Sequence, residues 1–303
     1  MEPTQLLGPF ILFLLMLIVG LQLTPADFRR VLARPRTVVV GTLGQLILLP
    51  LMTWAVITLL GLSPIFGAGA VILAASPGAG MSNVMVAVAG AHVALSVTLT
   101  AVSSVLAVFT LPMLTALGME VFIGDASEVE IPLGYLMSQM AMFLLLPITA
   151  GMSVRAWLGE GVRRFIPWIN RIAVVAIVVL TVASMSGGQT TLPAGGDLVR
   201  ALLASTLWTL AAMGIGWGLA ALLDLDEDDR FAFLIEFSAR NIALAFIVAI
   251  SSLERRDLAF FGGVYARTGY PLAVAISVIR GRRASARGRA RESSGGVDRD
   301  VDR

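Results

Sequence analysis

Ser76-Pro77-Gly78-Ala79-Gly80-Met81-Ser82-Asn83 falls in the middle of an apolar run that covers about 66–90. Pro77 removes a helix hydrogen bond, and the glycines lower the cost of unwinding. A second polar insertion, Glu236-Phe237-Ser238-Ala239-Arg240-Asn241, interrupts a later apolar run over about 230–252. It puts two opposite charges and an amide between apolar flanks. A lone Pro-Gly can be an ordinary kink in a packed helix. Here a hydroxyl and an amide follow at once, and a second break exists. Non-helical backbone at membrane depth is tolerated only where it lines a cavity or is packed in protein.

Around these breaks the chain is uniformly apolar. Its 303 residues are 57% hydrophobic and 14% charged, with a mean hydropathy of +0.87. Soluble domains are about 45–50% apolar and about 25% charged. The excess comes in blocks of roughly 20 residues, the length that spans a bilayer. Nine spans are predicted, near 7–24, 38–61, 66–90, 93–118, 132–154, 165–186, 197–223, 230–252 and 257–279. The fold class is therefore an all-α membrane protein of about nine transmembrane helices. Spans 1–4 and spans 6–9 read as two copies of one pattern, each with its third member broken. An odd number of spans separates the copies' starts, which makes the repeat inverted. Paired interrupted helices in such repeats point to a transporter's midplane site.

Loop charge sets orientation. Arg29, Arg30, Arg34 and Arg36 follow span 1, and Arg155, Arg163 and Arg164 follow span 5. Arg280, Arg282, Arg283, Arg287, Arg289 and Arg291 follow span 9. Nine spans put all three groups on one side, with the acidic loop Glu120, Asp125, Glu128 and Glu130 on the other. The expectation is a multi-pass protein of the inner (plasma) membrane, N-terminus outside and C-terminus cytoplasmic. Glu254-Arg255-Arg256-Asp257 fits less well, with two outward arginines. Residues 281–303 are polar, Gly/Ser-rich and charged, which predicts a disordered cytoplasmic tail.

Composition also narrows function. Net charge is only +2, which gives no reason to expect a nucleic-acid partner; the partner implied is a lipid bilayer. There are no cysteines and one histidine, which leaves no thiolate or His-rich metal site. The N-terminus lacks the basic region of a signal peptide. An intramembrane enzyme would need a nucleophile and base, or an acid pair, near a break. The single histidine sits at a turn and Glu236 is the one acid at a span centre, so no enzyme is expected.

An acidic group at a helix centre costs about 2.5–3.5 kcal/mol on insertion scales, so Glu236 needs a partner. One reading is a structural Glu236–Arg240 pair at i, i+4. The other is that Glu236 helps hold a hard cation, which wants several oxygens. Ser82, Asn83, Ser96 and Thr100 supply such oxygens, and Ser96 and Thr100 share one face of span 4. Arg267, in mid-span 9, either pairs with a helix carbonyl or acid, or meets a carboxylate substrate, since guanidinium matches planar anions. His92 reads as an interfacial residue at a turn, with a proton relay as the other option.

Read together, these segments resemble the bile acid:sodium symporter family. Residues 76–84, followed by Val93-Ala94-Leu95-Ser96-Val97-Thr98-Leu99-Thr100, look like that family's Pro-Gly-Gly-x-x-Ser-Asn break and its Leu-Ser-x-x-x-Thr helix. Gly20-Leu21-Gln22-Leu23-Thr24-Pro25-Ala26-Asp27-Phe28 is similar to its Gly-Leu-x-Leu-x-x-x-Asp-Phe segment. Gln45 falls where the family has a Gln, and Glu236 to Asn241 resembles its Glu-x-Gly-x-Gln-Asn break. The resemblance implies two discontinuous crossing helices. It also implies a panel domain (spans 1, 5 and 6) that rocks against a core domain (spans 2–4 and 7–9). By carry-over, one Na⁺ site uses Ser82, Asn83, Ser96, Thr100 and Glu236. A second uses Gln45, Glu236 and the residue at 240. A small organic anion would sit near Gly80, Asn241 and span 9, with Arg267 as a cationic contact. Three departures stand out: Arg240 replaces a Gln, Ala79 a Gly, and His92 an Asn or Asp. Arg240 beside Glu236 either stands in for the second ion or repels it. The function implied is alternating-access symport of an organic anion with Na⁺, one ion site being occupied. A proton-coupled or Na⁺-independent facilitator is the alternative.

Overall fold

A computed structural model describes residues 34–78, 80–124, 133–165 and 196–297, together with residues 10, 13, 14, 16–21, 23, 24, 29 and 168. The described residues are helical, with no strand. Ten helices are named here: α1 (Pro35–Leu59), α2 (Pro64–Ala75), α3 (Gly80–Val88), α4 (Val93–Ile123), α5 (Leu133–Leu158), α6 (Gly196–Leu222), α7 (Glu227–Ser238), α8 (Ile242–Ser252), α9 (Phe260–Arg267) and α10 (Gly269–Val297). Four stretches among the described residues are long and apolar enough to cross a membrane: α1, α4, α5 and Leu198–Leu222 of α6. The sixth expected span, 165–186, lies largely outside the described residues, as do Gln22 and residues 125–130 of the acidic loop.

Both expected breaks are present. α2 ends at Ala75 and α3 begins at Gly80; α7 ends at Ser238 and α8 begins at Ile242. A third interruption, at Thr268, separates α9 from α10. Its cause is Pro271, which lacks an N–H and clashes with the carbonyl four residues back. Two further prolines are absorbed differently. Pro50 in α1 and Pro147 in α5 each follow a five-residue widened turn, Gly44–Leu48 and Ala141–Leu145. Widening lets the chain pass a proline without breaking the helix.

Helix α10 runs on to Val297, into the residues whose composition led to the expectation of a polar tail. Arg and Ala are good helix formers, and extending an existing helix needs no new nucleus.

The ends of the helices segregate. Arg34 before α1, His92 between α3 and α4, the acidic start of α7, and Arg280 of α10 meet at one end. At the other, Phe66 at the start of α2 packs on Phe260 and Phe261 of α9. There Arg255 and Asp257 form a double hydrogen bond at 2.9 and 2.7 Å. One of the two arginines that fitted this loop poorly, Arg255, is thus neutralised by Asp257, whose carboxyl it holds below the usual range.

The first span packs against α5 through backbone. A Cβ on Gly20 would overlap Ile148 O, and one on Gly151 would overlap Leu17 O. Small residues are what let helices approach this closely inside a bilayer. Gly151→Val is expected to destabilise the protein by about 2–3 kcal/mol, an overpacking cost, read as a lower unfolding temperature in detergent. An unchanged melt would show that this contact is not tight.

Candidate functional site

The two breaks touch. Gly78 and Arg240 form an isolated antiparallel bridge, and Asn241 N donates to Pro77 O at 3.1 Å. Residues from all four flanking helices therefore converge on one buried place.

Glu236, in the last turn of α7, is fully buried. Its Oε1 accepts from Ser82 Oγ of α3 at 2.5 Å, from Ser96 Oγ of α4 at 2.5 Å and from Thr100 Oγ1 at 3.0 Å. Its Oε2 lies 3.0 Å from Thr100 Oγ1. Ser96 Oγ is also 2.7 Å from Asn83 Oδ1. Five of the six expected ligand residues thus form one cluster. It is rich in oxygen and poor in hydrogen: the carboxylate, the Asn83 carbonyl and three hydroxyls share three hydroxyl protons. Hard cations take such all-oxygen surroundings.

The sixth residue, Gln45, is elsewhere. Its Oε1 accepts from Arg240 NH1 at 3.0 Å. The same guanidinium reaches Glu236 O at 3.2 Å and Ala74 O at 3.1 Å. The i, i+4 ion pair is therefore not the arrangement found. The carboxylate goes to hydroxyls, and the guanidinium goes to the main chain of the residue that carries it. Ala74 and Glu236 belong to the last turns of α2 and α7, where backbone carbonyls are unpaired and the dipole favours a cation. Arg240 caps both ends at once.

The opposite polarity is close by. α3 starts at Gly80, and Asn241 caps α8, its Oδ1 accepting from Leu244 N at 3.0 Å. Nδ2 of Asn83 and of Asn241, Nε2 of Gln45 and Nε of Arg240 are buried donors with no acceptor among the described residues. Arg267 is not part of this group. It is exposed and donates to Gly263 O of its own helix at 2.7 Å.

Two positions carry the site without having been read as part of the ligand set. Gly78 lies so near Glu236 that a Cβ would overlap Oε2. Its signal was the Pro-Gly pair itself. Tyr265 of α9 serves both sides of the second break: its hydroxyl donates to Ser238 O and accepts from Arg240 N at 3.2 Å. The ring packs edge-on against Trp208, whose Nε1 donates to Thr53 Oγ1 of α1 at 2.8 Å. No sequence signal marks Tyr265, because its partners lie across the second break, 25 and 27 residues away.

The sequence profile of the Sodium Bile acid symporter family matches residues 9–193, more than half of the chain. The chain belongs to the sodium bile acid symporter family. Gln45, Ser82, Asn83, Ser96 and Thr100 lie inside the matched residues, and Glu236 and Arg240 beyond them. The chain is similar to a protein of Arabidopsis thaliana named "Probable sodium/metabolite cotransporter BASS1, chloroplastic", 32% identical over 235 residues, 77% of this chain and 56% of that one. It is 27% identical over 234 residues to Bacillus subtilis "Uncharacterized sodium-dependent transporter YocS", 76% of this chain and 69% of that one. A rice "Probable sodium/metabolite cotransporter BASS2, chloroplastic" is 30% identical over 236 residues, 78% of this chain and 54% of that one. The matches thus span from about half to about two thirds of these relatives. The bile acid symporter family and these relatives are named as transporters, not enzymes.

Tyr265→Phe removes the hydroxyl that hydrogen-bonds to both Ser238 O and Arg240 N. Leaving buried polar groups unpaired costs about 1–3 kcal/mol, so the variant should unfold at lower temperature in detergent. A melt equal to the parent's would show that the break does not depend on the phenol.

Proposed function

We propose that this chain is a secondary transporter that moves a small organic anion across the membrane by alternating access, coupled to Na⁺. The observation that carries this reading is the Glu236 carboxylate among Ser82, Asn83, Ser96 and Thr100, where two broken helices meet. An all-oxygen group with too few protons for its acceptors suits a hard cation. Sodium in the names of the family and of the Bacillus relative agrees with that choice. The substrate would lie near Gly80 and Asn241, where helix N-termini favour negative charge. The buried, unpaired amide donors of Asn83 and Asn241 suit a carboxylate there. Arg267 is a further contact if the exposed face of α9 borders the substrate path. The wider architecture is nine spans in two inverted copies, with a panel (spans 1, 5, 6) and a core (spans 2–4, 7–9), in the plasma membrane with the arginine-rich end cytoplasmic.

Arg240 is read as the stand-in for a second ion. Gln45 Oε1, Ala74 O and Glu236 O surround its guanidinium as oxygens would surround a cation. One Na⁺ plus Arg240 beside one carboxylate leaves a net charge of about +1, which an anionic substrate neutralises. A guanidinium cannot be released, so each cycle would carry one ion fewer. That removes about 2.3 kcal/mol of electrical driving force per 100 mV.

The test is uptake of a panel of monocarboxylates into proteoliposomes with and without a Na⁺ gradient. Na⁺-stimulated, concentrative uptake is expected; uptake indifferent to Na⁺ would favour the proton-coupled or facilitated alternative. Glu236→Gln keeps shape but removes charge, and should abolish the Na⁺ stimulation. A variant that transports like the parent, with the same Na⁺ dependence, would disprove the assignment. The Na⁺ dependence of the parent should show a Hill coefficient near one, rising towards two in Arg240→Gln. A coefficient clearly above one in the parent would remove the surrogate role.

A further inference from the structure

Two turns before Glu236, the same helix begins in a second charged group. α7 opens on Asp226-Glu227-Asp228-Asp229, and Asp226 Oδ1 caps it by accepting from Asp229 N at 2.8 Å. Asp229 is buried, and its Oδ2 receives Arg34 at 2.8 Å. Its Oδ1 lies 2.9 Å from His92 Nδ1. The His92 ring is also 3.6 Å from Asp226 Oδ1 and 3.7 Å from Asp228 Oδ2. Asp228 in turn is held by Arg280 of α10 at 2.6 Å, which reaches Glu227 at 3.9 Å. These are the charged groups that face His92 from α7, from the start of α1 and from α10.

The placement of His92 matters more than its charge. It stands in the turn that joins α3 to α4. α3 carries Ser82 and Asn83, α4 carries Ser96 and Thr100, and α7 carries Glu236. The His92–Asp229 contact therefore fastens together the same three elements that build the oxygen cluster. Asp229 and Glu236 are seven residues apart, about 10 Å along the axis.

We propose that His92 is a positioning residue for the cation site: as an imidazolium paired with Asp229 it clamps the α3–α4 turn to α7, and so sets how firmly the cluster holds Na⁺. The proposal rests on reading that cluster as a Na⁺ site. It does not require His92 to touch the ion or to relay a proton.

The sign of the pH dependence follows from the surroundings. The Asp229 hydrogen bond lifts the imidazole above its ordinary pKa of 6.5, against a smaller opposing effect of partial burial; the charges of Asp229, Asp226 and Asp228 add to the lift. A raised histidine contributes its attraction fully below the ordinary value and loses it as pH rises through the raised one. Above that range a neutral ring can still hydrogen-bond to Asp229, but the ion pair is gone. Arg34 keeps Asp229 paired at either pH, so loss of the imidazolium loosens the turn without stranding a buried carboxylate.

The experiment needs no transported substrate. The unfolding temperature of the purified protein is measured against Na⁺ concentration, with choline as the replacement, at about pH 6, below the ordinary histidine value, and at a series of higher pH values up to about 9. His92→Asn keeps an amide donor near the place of Nδ1 but carries no charge. At the highest pH, parent and variant should half-saturate at the same Na⁺ concentration. At the lowest pH the parent should need about threefold less Na⁺ than the variant, the reach of a half-exposed ion pair. Any response of Glu236 itself is common to both proteins and cancels in their ratio. His92→Gln, which also cannot titrate, should behave as His92→Asn does. Curves that coincide at every pH value, or differ equally at all of them, overturn the proposal. No stabilisation by Na⁺ in any of the proteins would overturn the Na⁺ reading, and this proposal with it.

Discussion

A carboxylate sealed inside a membrane protein has to be satisfied by its surroundings, and the centre of this molecule is arranged around that need. Glu236 has no exposure and, among the described residues, no arginine hydrogen-bonded to its carboxylate. Three hydroxyls from two other helices answer it instead. Those hydroxyls can reach it only because α2 and α7 stop short. Gly78 lets the first break lie against the carboxylate, and the Gly78–Arg240 bridge holds the breaks together.

The same two breaks sort charge. Each yields a helix C-terminus, negative in its dipole, and a helix N-terminus, positive in its dipole. Arg240 sits against the two C-termini through Ala74 O and Glu236 O. The N-termini at Gly80 and Asn241 carry amide groups with donors to spare. Cation-seeking and anion-seeking surfaces are thereby placed side by side without any exposed charge. Backbone supplies much of this, which is why so few ionisable residues suffice in a chain that is 14% charged.

Much of this was legible in the sequence. Proline, glycine and polar residues inside apolar runs cannot be hidden, so both breaks and the five-residue oxygen cluster could be read in advance. What pairs with what could not. Arg240 and Glu236 are spaced for an ion pair, and only tertiary packing sends the guanidinium to Gln45 and the carboxylate to Ser82, Ser96 and Thr100. Tyr265 carried no signal because its role depends on α9 lying beside a break 25 residues away. The interruption at Thr268, three residues before Pro271, was not among the breaks read from the sequence.

The widened turn before Pro50 has a consequence for how the faces of α1 line up. Gln45 and Thr53 are eight residues apart and both are buried. In an unbroken helix that spacing rotates them by about 80°, given about 100° per residue. The widened turn takes up one residue, so the effective step is seven, and the two side chains come within about 20° of each other. One then holds Arg240 and the other Trp208. The extra residue acts as a phase correction that keeps two distant polar positions pointing inward, and a helical wheel drawn through α1 without it would turn one of them out of line.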